Sequence, residues 1–310
     1  MNDVLRVLAK DLRKISLTKG CQEEHPLGAL STYKVGGSAA LFVQVESPEE
    51  LQNVASVTAR HDVCFLVIGR GSNLLVADQG FTGLVVQLGA DFESVSLEEA
   101  TVTAGGAALL PVVARRSVQA GLQGFAWAVG VPGSIGGAVR MNAGGHGAEM
   151  KEVLQSVLVV DLSTGETSRW SKSDLALGYR RSALKPCHVV VEATLLLAAD
   201  GTGEGPQELT EIVQWRRNNQ PGGQNAGSVF ANPSNDSAGR LIESVGLKGH
   251  RLGTAEVSTK HANFIQADPQ GRADDIYALM QLVQKKVLEE TGVALQAETV
   301  MVGFADEHGG

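Results

Sequence analysis

Residues 130–147 read "GVPGSIGGAVRMNAGGHG". The stretch is dense in glycine, holds no aspartate or glutamate and carries one arginine. Ordering a glycine in regular structure is less favourable than ordering an alanine by roughly 0.5–1 kcal/mol. Such a stretch is therefore either a flexible linker or a loop that lets backbone press against a ligand. A linker is polar and featureless, whereas Ile135, Val139 and Met141 interrupt this one and strongly patterned segments flank it. Pro132-Gly133 reads as a turn, and the small residues after it permit close approach to a flat or phosphorylated group. A second cluster, "GRGSN" at 69–73, follows a β-like run. It lacks the third glycine of a dinucleotide fingerprint, has Leu74 in that region, and leads into an extended "LLVAD". A nest of backbone amides can still hold phosphate there, and a plain tight turn is equally open. Two amide-rich loops in one β-rich half point to a single extended anionic ligand, which a flavin dinucleotide fits.

Outward from these loops the pattern alternates. "ESPEELQNVASVTARHD" opens a helix, with Ser47 as cap, Pro48 at the first position and Glu50 completing a capping box. β-rich runs follow at 64–68, 74–76 and 84–88, and two short strands lie within 93–104. A helix spans the region from Pro111 to Gly121. A hairpin turns at Ser163-Thr164-Gly165, an apolar strand covers 189–199, and the polar "DGTGEGP" at 200–206 reads as a linker. Beyond it come a helix ended by Pro221, a glycine loop at 222–228, a short helix at 236–245 and a strand near 262–266. Ile276, Leu279, Met280, Val283 and Val287 recur at helical spacing, Gly292 stops that helix, and a closing strand follows. At the N-terminus Val4, Leu5, Leu8, Leu12 and Ile15 suit one face of a helix. The class is α+β with mixed sheets.

Composition narrows the functions. With 310 residues, 43% hydrophobic and 19% charged, the chain has the length of two or three domains and a sizeable core. A net charge of −8 argues against nonspecific binding to nucleic acid or anionic membrane. No apolar run approaches the roughly 18 residues of a membrane span, and the first fifteen residues lack the apolar segment of a signal peptide. Cys21, Cys64 and Cys187 are widely spaced, form no metal-type pair, and read as free thiols of a reducing cytoplasm. No metal is expected.

The order of motifs resembles the UDP-N-acetylenolpyruvoylglucosamine reductase family. The resemblance runs from Ser31 to Phe304 through "STYKVGGSAALFV" (31–43), "GRGSNLLVADQGFTGLVV" (69–86), the glycine stretch 130–147, "GYRRS" (178–182), "NAGSVFANP" (225–233), "AGRLIESVGLKG" (238–249), "AEVSTKHANFI" (255–265) and "LQAETVMVG" (295–303). It implies an FAD-binding fold of the vanillyl-alcohol-oxidase type in two subdomains and a C-terminal α+β substrate-binding domain. The implied boundaries are 1–90 and 91–218 for the subdomains, with the strand at 293–310 returning to the first, and 219–292 for the substrate domain. It implies non-covalent FAD, NADPH as hydride donor, and reduction of the enolpyruvyl ether of UDP-N-acetylglucosamine for peptidoglycan precursor synthesis. A cytoplasmic monomer acting on small molecules, without nucleic acid or membrane insertion, is the expectation.

The resemblance also assigns roles. Ser228 matches the proton donor to the enolate carbon. Arg180 matches the arginine that forks onto the substrate carboxylate. Glu298 matches the acidic partner, which would act protonated or through water, so that burial is expected to raise its pKa. FAD would be held by Gly69, Arg70, Gly71, Ser72, Asn73, Gly130, Pro132, Gly133, Ser134, Gly136, Gly137 and Asn142. Tyr179, Asn232 and His261 would contact substrate. Taken by composition alone, Ser228 is a turn residue, Arg180 and Arg181 a solvated pair, His261 a structural histidine, and Trp127 either core or ligand wall. The chain departs from the family pattern at Arg70, Ala231, Gln296 and Thr299. The short interval from Arg180 to Ser228 resembles the family's second structural type, which lacks a substrate-covering tyrosine loop. Arg216, Arg217, Lys248 and Arg251 are the cations left for the pyrophosphate. Two alternatives stand beside this reading: a flavin oxidase or dehydrogenase of the same cofactor fold, for which His146 is a doubtful attachment point, and a non-catalytic flavin or UDP-sugar binding module.

Overall fold

The computed structural model describes residues 1–304, so the expected closing strand over 293–310 is followed as far as Phe304 and 305–310 lie outside the described residues. α1 (Asp3–Leu12) begins where the Asn2 side chain accepts from the Leu5 N–H at 2.9 Å. Leu5, Leu8, Ala9 and Leu12 are its buried stripe. Val4, expected on that stripe, lies a step outside it and is exposed. β1 (Cys21–Pro26), β2 (Ser38–Val45), α2 (Pro48–Thr58), β3 (Phe65–Ile68), β4 (Leu74–Val76) and β5 (Phe81–Leu88) follow. Ser47 caps α2 by accepting from the Glu50 N–H at 3.2 Å. Glu50 was expected to close the box on the cap residue. It reaches one residue further back, to the Glu46 N–H at 2.8 Å, because Thr18 occupies its other oxygen through an N–H at 2.7 Å and a hydroxyl at 2.5 Å.

β6 (Val95–Glu98), β7 (Thr101–Gly105), α3 (Leu110–Gln119) and the two-residue β8 (Leu122–Gln123) lead to the glycine stretch. That stretch is not a loop throughout. Ser134 caps a short helix, α4 (Ile135–Arg140), and a small hairpin follows in β9 (Gly144–Gly145) and β10 (Ala148–Glu149). The glycines of α4 let the helix settle on the sheet: the Gly136 N–H donates to the Gly106 carbonyl at 2.9 Å, and a Cβ on Gly136 would come within 3.1 Å of that oxygen. β11 (Leu154–Asp161), β12 (Thr167–Ser171), β13 (His188–Leu196), β14 (Ala198–Ala199) and α5 (Gly205–Asn219) complete this part. The expected linker at 200–206 is a fastened turn. The Asp200 carboxylate accepts from the N–H groups of Thr202, Gly203 and Gly205, and α5 starts within the segment. After it come α6 (Ala238–Ser244), β15 (Arg251–Leu252), β16 (Ala255–Val257), β17 (Ile265–Ala267), α7 (Ala273–Thr291) and β18 (Val300–Val302). Gly292 ends α7 in the left-handed region at φ 73°.

Two compact units divide the chain. The first comprises Met1–Glu24, Ala40–Arg70 and Thr82–Trp215; the second comprises His25–Ala39, Gly71–Phe81 and the chain from Arg216 onward. In the first unit the sheet order is β1-β2-β5-β3, with β3 parallel to β5, and a second sheet runs β12-β11-β13-β7-β6 with antiparallel neighbours. One core lies under the second sheet and includes Val102, Leu110, Phe125, Trp127, Ile135 and Leu195. Another joins α1 and α2 to the first sheet through Leu5, Leu8, Leu41, Leu51 and Leu84. The second unit holds the three-stranded β15-β16-β17 sheet and the parallel pair β18-β4. Its core unites Tyr33, Val35, Leu75 and Ala77 with Phe230, Leu241, Ile276 and Leu279. Full burial of each large apolar side chain contributes about 1.5–3 kcal/mol relative to exposure.

Candidate active site

In the first unit the two amide-rich loops meet. A Cβ built on Gly69 would lie 2.5 Å from the Ser134 hydroxyl oxygen, and Ser134 is buried. The Ser134 hydroxyl accepts from the Gly137 N–H at 3.4 Å, while the Gly133 carbonyl takes the Leu110 N–H at 3.0 Å. Gly130, Gly133 and Gly136 are half-buried, and Pro132 and Gly137 are exposed. Arg70 is exposed as well, which suits a side chain turned away from the loop backbone. Trp127, one turn before the stretch, is 2% exposed, and its indole N–H has no hydrogen-bond partner among the described residues.

Arg180 stands on a strained turn in the same unit. Its φ is 54°, a left-handed value that non-glycine residues avoid. The guanidinium donates to the Asn142 and Gly144 carbonyls at 3.5 and 3.2 Å and lies 4.9 Å over the Tyr179 ring, itself 56% exposed. Asn142 is fully buried, and its side chain is committed to the protein: the amide donates to Glu149 at 2.7 Å and to the Gly178 carbonyl at 2.9 Å, and its oxygen accepts from the Lys151 N–H at 2.9 Å. His146 is exposed and packs edge-on against Trp215, with ring centroids 5.1 Å apart.

In the second unit Ser228 and Glu298 are neighbours through the backbone. The Val229 carbonyl, next to Ser228, accepts from the Glu298 N–H at 2.8 Å, and Phe230 bridges Ala297. Both candidate residues are half-buried. Glu298 lies just before β18 rather than within an apolar strand, and the Asn73 side chain grips its carbonyl at 2.9 Å. Asn263, which sequence reasoning passed over, braces the other side: its carbonyl takes the Val229 N–H at 2.8 Å, and its side chain exchanges hydrogen bonds with the Phe230 N–H and carbonyl at 3.0 and 2.8 Å. Nothing local in "KHANF" marks it, and its partner 33 residues away was not readable. Gly71, at φ 59°, has its carbonyl on the Thr32 N–H at 3.0 Å, and a Cβ there would strike the Leu30 carbonyl at 2.4 Å. Ser72 is half-buried.

The remaining substrate candidates have structural partners. The Asn232 side-chain oxygen accepts from the Ala238 N–H at 3.0 Å, at the start of α6. His261 accepts from the Asn263 N–H at Nδ1 and packs edge-on against Phe264, and burial holds its pKa below the ordinary histidine value. Arg251 is paired with Glu256 and Asp268, Lys248 with Glu243, and Arg216 donates to Gln220.

The residues fit FAD. An exposed Gly137 edge and a buried indole donor with no acceptor among the described residues suit a flat, multiply hydrogen-bonding group.

Residues 219–302 match the family profile for the C-terminal domain of UDP-N-acetylenolpyruvoylglucosamine reductase, and residues 39–171 match that of an FAD binding domain. The UDP-N-acetylenolpyruvoylglucosamine reductase of Synechococcus sp. strain WH7803 is 40% identical over 292 residues, covering 91% of this chain and 93% of its own length. The protein of that name from Heliobacterium modesticaldum is 38% identical, covering 91% and 90%. Among solved structures, the UDP-N-acetylenolpyruvylglucosamine reductase from Thermus caldophilus matches with a TM-score of 0.79 and 35% identity, over 90% of this chain and 98% of its own.

Proposed function

Since the chain belongs to the UDP-N-acetylenolpyruvoylglucosamine reductase family, we propose how its residues divide the work of that reaction. The protein is an FAD-dependent oxidoreductase that uses NADPH to reduce UDP-N-acetylglucosamine enolpyruvate to UDP-N-acetylmuramate, a peptidoglycan precursor. Its fold is the FAD-binding fold of the vanillyl-alcohol-oxidase type with the family's C-terminal domain. FAD, when bound by the residues named below, would supply the hydride chemistry between NADPH and the enolpyruvyl ether.

The protein's own part begins with charge. Arg180, permanently cationic, forks onto the substrate carboxylate and supports the negative charge that grows on the adjoining carbon. Ser228 then donates the proton that this carbon needs, from a loop whose backbone is fixed on both sides. Glu298 sits one carbonyl away and supports that transfer. What carries this reading is the Val229 carbonyl, which ties the Ser228 loop to Glu298 at 2.8 Å. Gly69, Arg70, Gly130, Pro132, Gly133, Ser134, Gly136 and Gly137 in the first unit, and Gly71, Ser72 and Asn73 in the second, are read as FAD contacts. Tyr179, Asn232 and His261 are read as substrate contacts. The division into cofactor subdomains 1–90 and 91–218 and a substrate domain 219–292 belongs to the same proposal. So does a cytoplasmic monomer; the three free cysteines fit a reducing compartment.

The test is an anaerobic absorbance titration. NADPH should bleach the visible flavin band, and the UDP-linked enolpyruvyl sugar should restore it. Bleaching without restoration would keep the flavoprotein and overturn the substrate.

A further inference from the structure

Arg180 occupies a backbone conformation that an arginine does not choose by itself, so something outside the turn must hold it. The turn closes on itself through the Gly178 and Arg181 backbones, which exchange hydrogen bonds at 3.0 and 3.3 Å. One side chain reaches it from the end of α4. Asn142 donates to the Gly178 carbonyl at 2.9 Å, two residues before Arg180, and its own carbonyl accepts the Arg180 guanidinium at 3.5 Å. It therefore grips the turn twice, once by side chain and once by backbone. Asn142 is itself held: it is fully buried, its second amide hydrogen goes to Glu149 at 2.7 Å, and its oxygen takes the Lys151 N–H at 2.9 Å.

The chemistry requires an amide. Two donors and one acceptor must leave a single short side chain in three directions. Aspartate at 142 would set its oxygens against the Glu149 carboxylate and the Gly178 carbonyl. Alanine would take away this grip, leaving the Gly178 carbonyl only its longer bond from the Arg181 N–H at 3.3 Å and Glu149 its pairing with Lys151.

We propose that Asn142, oriented by Glu149, is the positioning residue that sets the Arg180 guanidinium for the substrate carboxylate. It acts through Arg180, its own side-chain donors and oxygen being spent on Glu149, Gly178 and Lys151. The inference rests on the reading of Arg180 as the carboxylate-binding residue.

The experiment compares holoenzyme variants in the two half-reactions, together with calorimetric binding of UDP-N-acetylmuramate, which bears the same carboxylate. Asn142→Ala should leave the rate of flavin bleaching by NADPH within about twofold of native. It should slow reoxidation by the enolpyruvyl sugar by about tenfold to a hundredfold, the scale of a displacement near 1 Å. UDP-N-acetylmuramate should bind about tenfold more weakly. Glu149→Ala should move the same quantities in the same direction. Glu149→Gln, which keeps an acceptor for the Asn142 amide, should restore them, and this pair carries the test if Asn142→Ala does not fold. In an Arg180→Ala background, Asn142→Ala should add little. Equal slowing of both half-reactions, failure of Glu149→Gln to differ from Glu149→Ala, or the full Asn142→Ala factor on top of Arg180→Ala would each overturn the proposal. Native reoxidation in Arg180→Ala alone would instead overturn the carboxylate reading, and the proposal with it.

Discussion

Ser228 is flanked by Gly227 at φ 80° and by Val229, whose N–H and carbonyl are both taken, by Asn263 and Glu298. A hydroxyl is a poor acid, so its use as a proton donor depends on such a fixed placement. Replacing Ser228 with alanine should preserve bleaching of the flavin by NADPH. It should slow reoxidation by the enolpyruvyl substrate by at least about a hundredfold, within the usual range for loss of a general acid. Stopped-flow absorbance reads both phases, and full turnover by the variant would remove Ser228 from the mechanism. Glu298→Gln should act on the same phase and spare the first. At this scale the sequence told residue type well and partnership poorly. Ser228, Arg180 and Glu298 were singled out through the family resemblance; taken by themselves, Ser228 reads as a turn residue and Arg180 as half of a solvated pair. Asn142 was read as a cofactor contact from its glycine-rich local setting, and its hydrogen bond to Gly178, 36 residues on, was not readable.

Elements show the same division between local and distant information. α2 and α7 were readable from their ends, since a serine cap, a proline at the first position and a left-handed glycine are local signals. α4 was not, because glycine has low helix propensity and the helix exists through Ser134 capping and its seat on the sheet. The β15–β16 pair also escaped reading: with two and three residues around Gly253, neither strand shows a period. The dependence of α4 on one cap makes a prediction. Ser134→Ala should destabilise the protein by about 1 kcal/mol. Gly69→Ala should do comparable damage, because the new Cβ would lie 2.5 Å from the same hydroxyl and displace it. Since both changes break one contact, thermal melts of the double variant should show less than the sum of the two shifts. Additive shifts would mean that Gly69 acts elsewhere.

For the whole molecule, proton uptake links pH to stability. Burial holds buried His188 below its ordinary pKa, with Lys185 and Arg140 adding to that and Asp161 opposing it. Burial lowers His261 and His25 likewise. The unfolded chain then binds more protons than the folded chain once the pH drops through the ordinary histidine range, about 6.5. Stability present above that range should be lost as the pH falls through it, and melting temperatures between pH 7.5 and pH 5.5, on the order of one unit either side, should fall accordingly. His188→Gln should melt with a shallower dependence; an unchanged slope would assign the loss to other groups. The arrangement of the second unit gives a further test. Its core takes Tyr33, Val35, Leu75 and Ala77 from early in the chain, and β18 pairs with β4. A fragment beginning at Arg216 should therefore lack cooperative unfolding by circular dichroism, although it contains all of the matched C-terminal family region. A sharp melt would show that this core is dispensable. The same interleaving has a meaning in time. A ribosome releases Tyr33 and Leu75 long before it makes Phe230, Ile276 or Val302, and at roughly 5–20 residues per second the delay is on the order of ten seconds or more. Through that interval the nascent chain carries two apolar segments whose partners do not yet exist, so the emergence of β18, not of β4, decides when the second unit can fold.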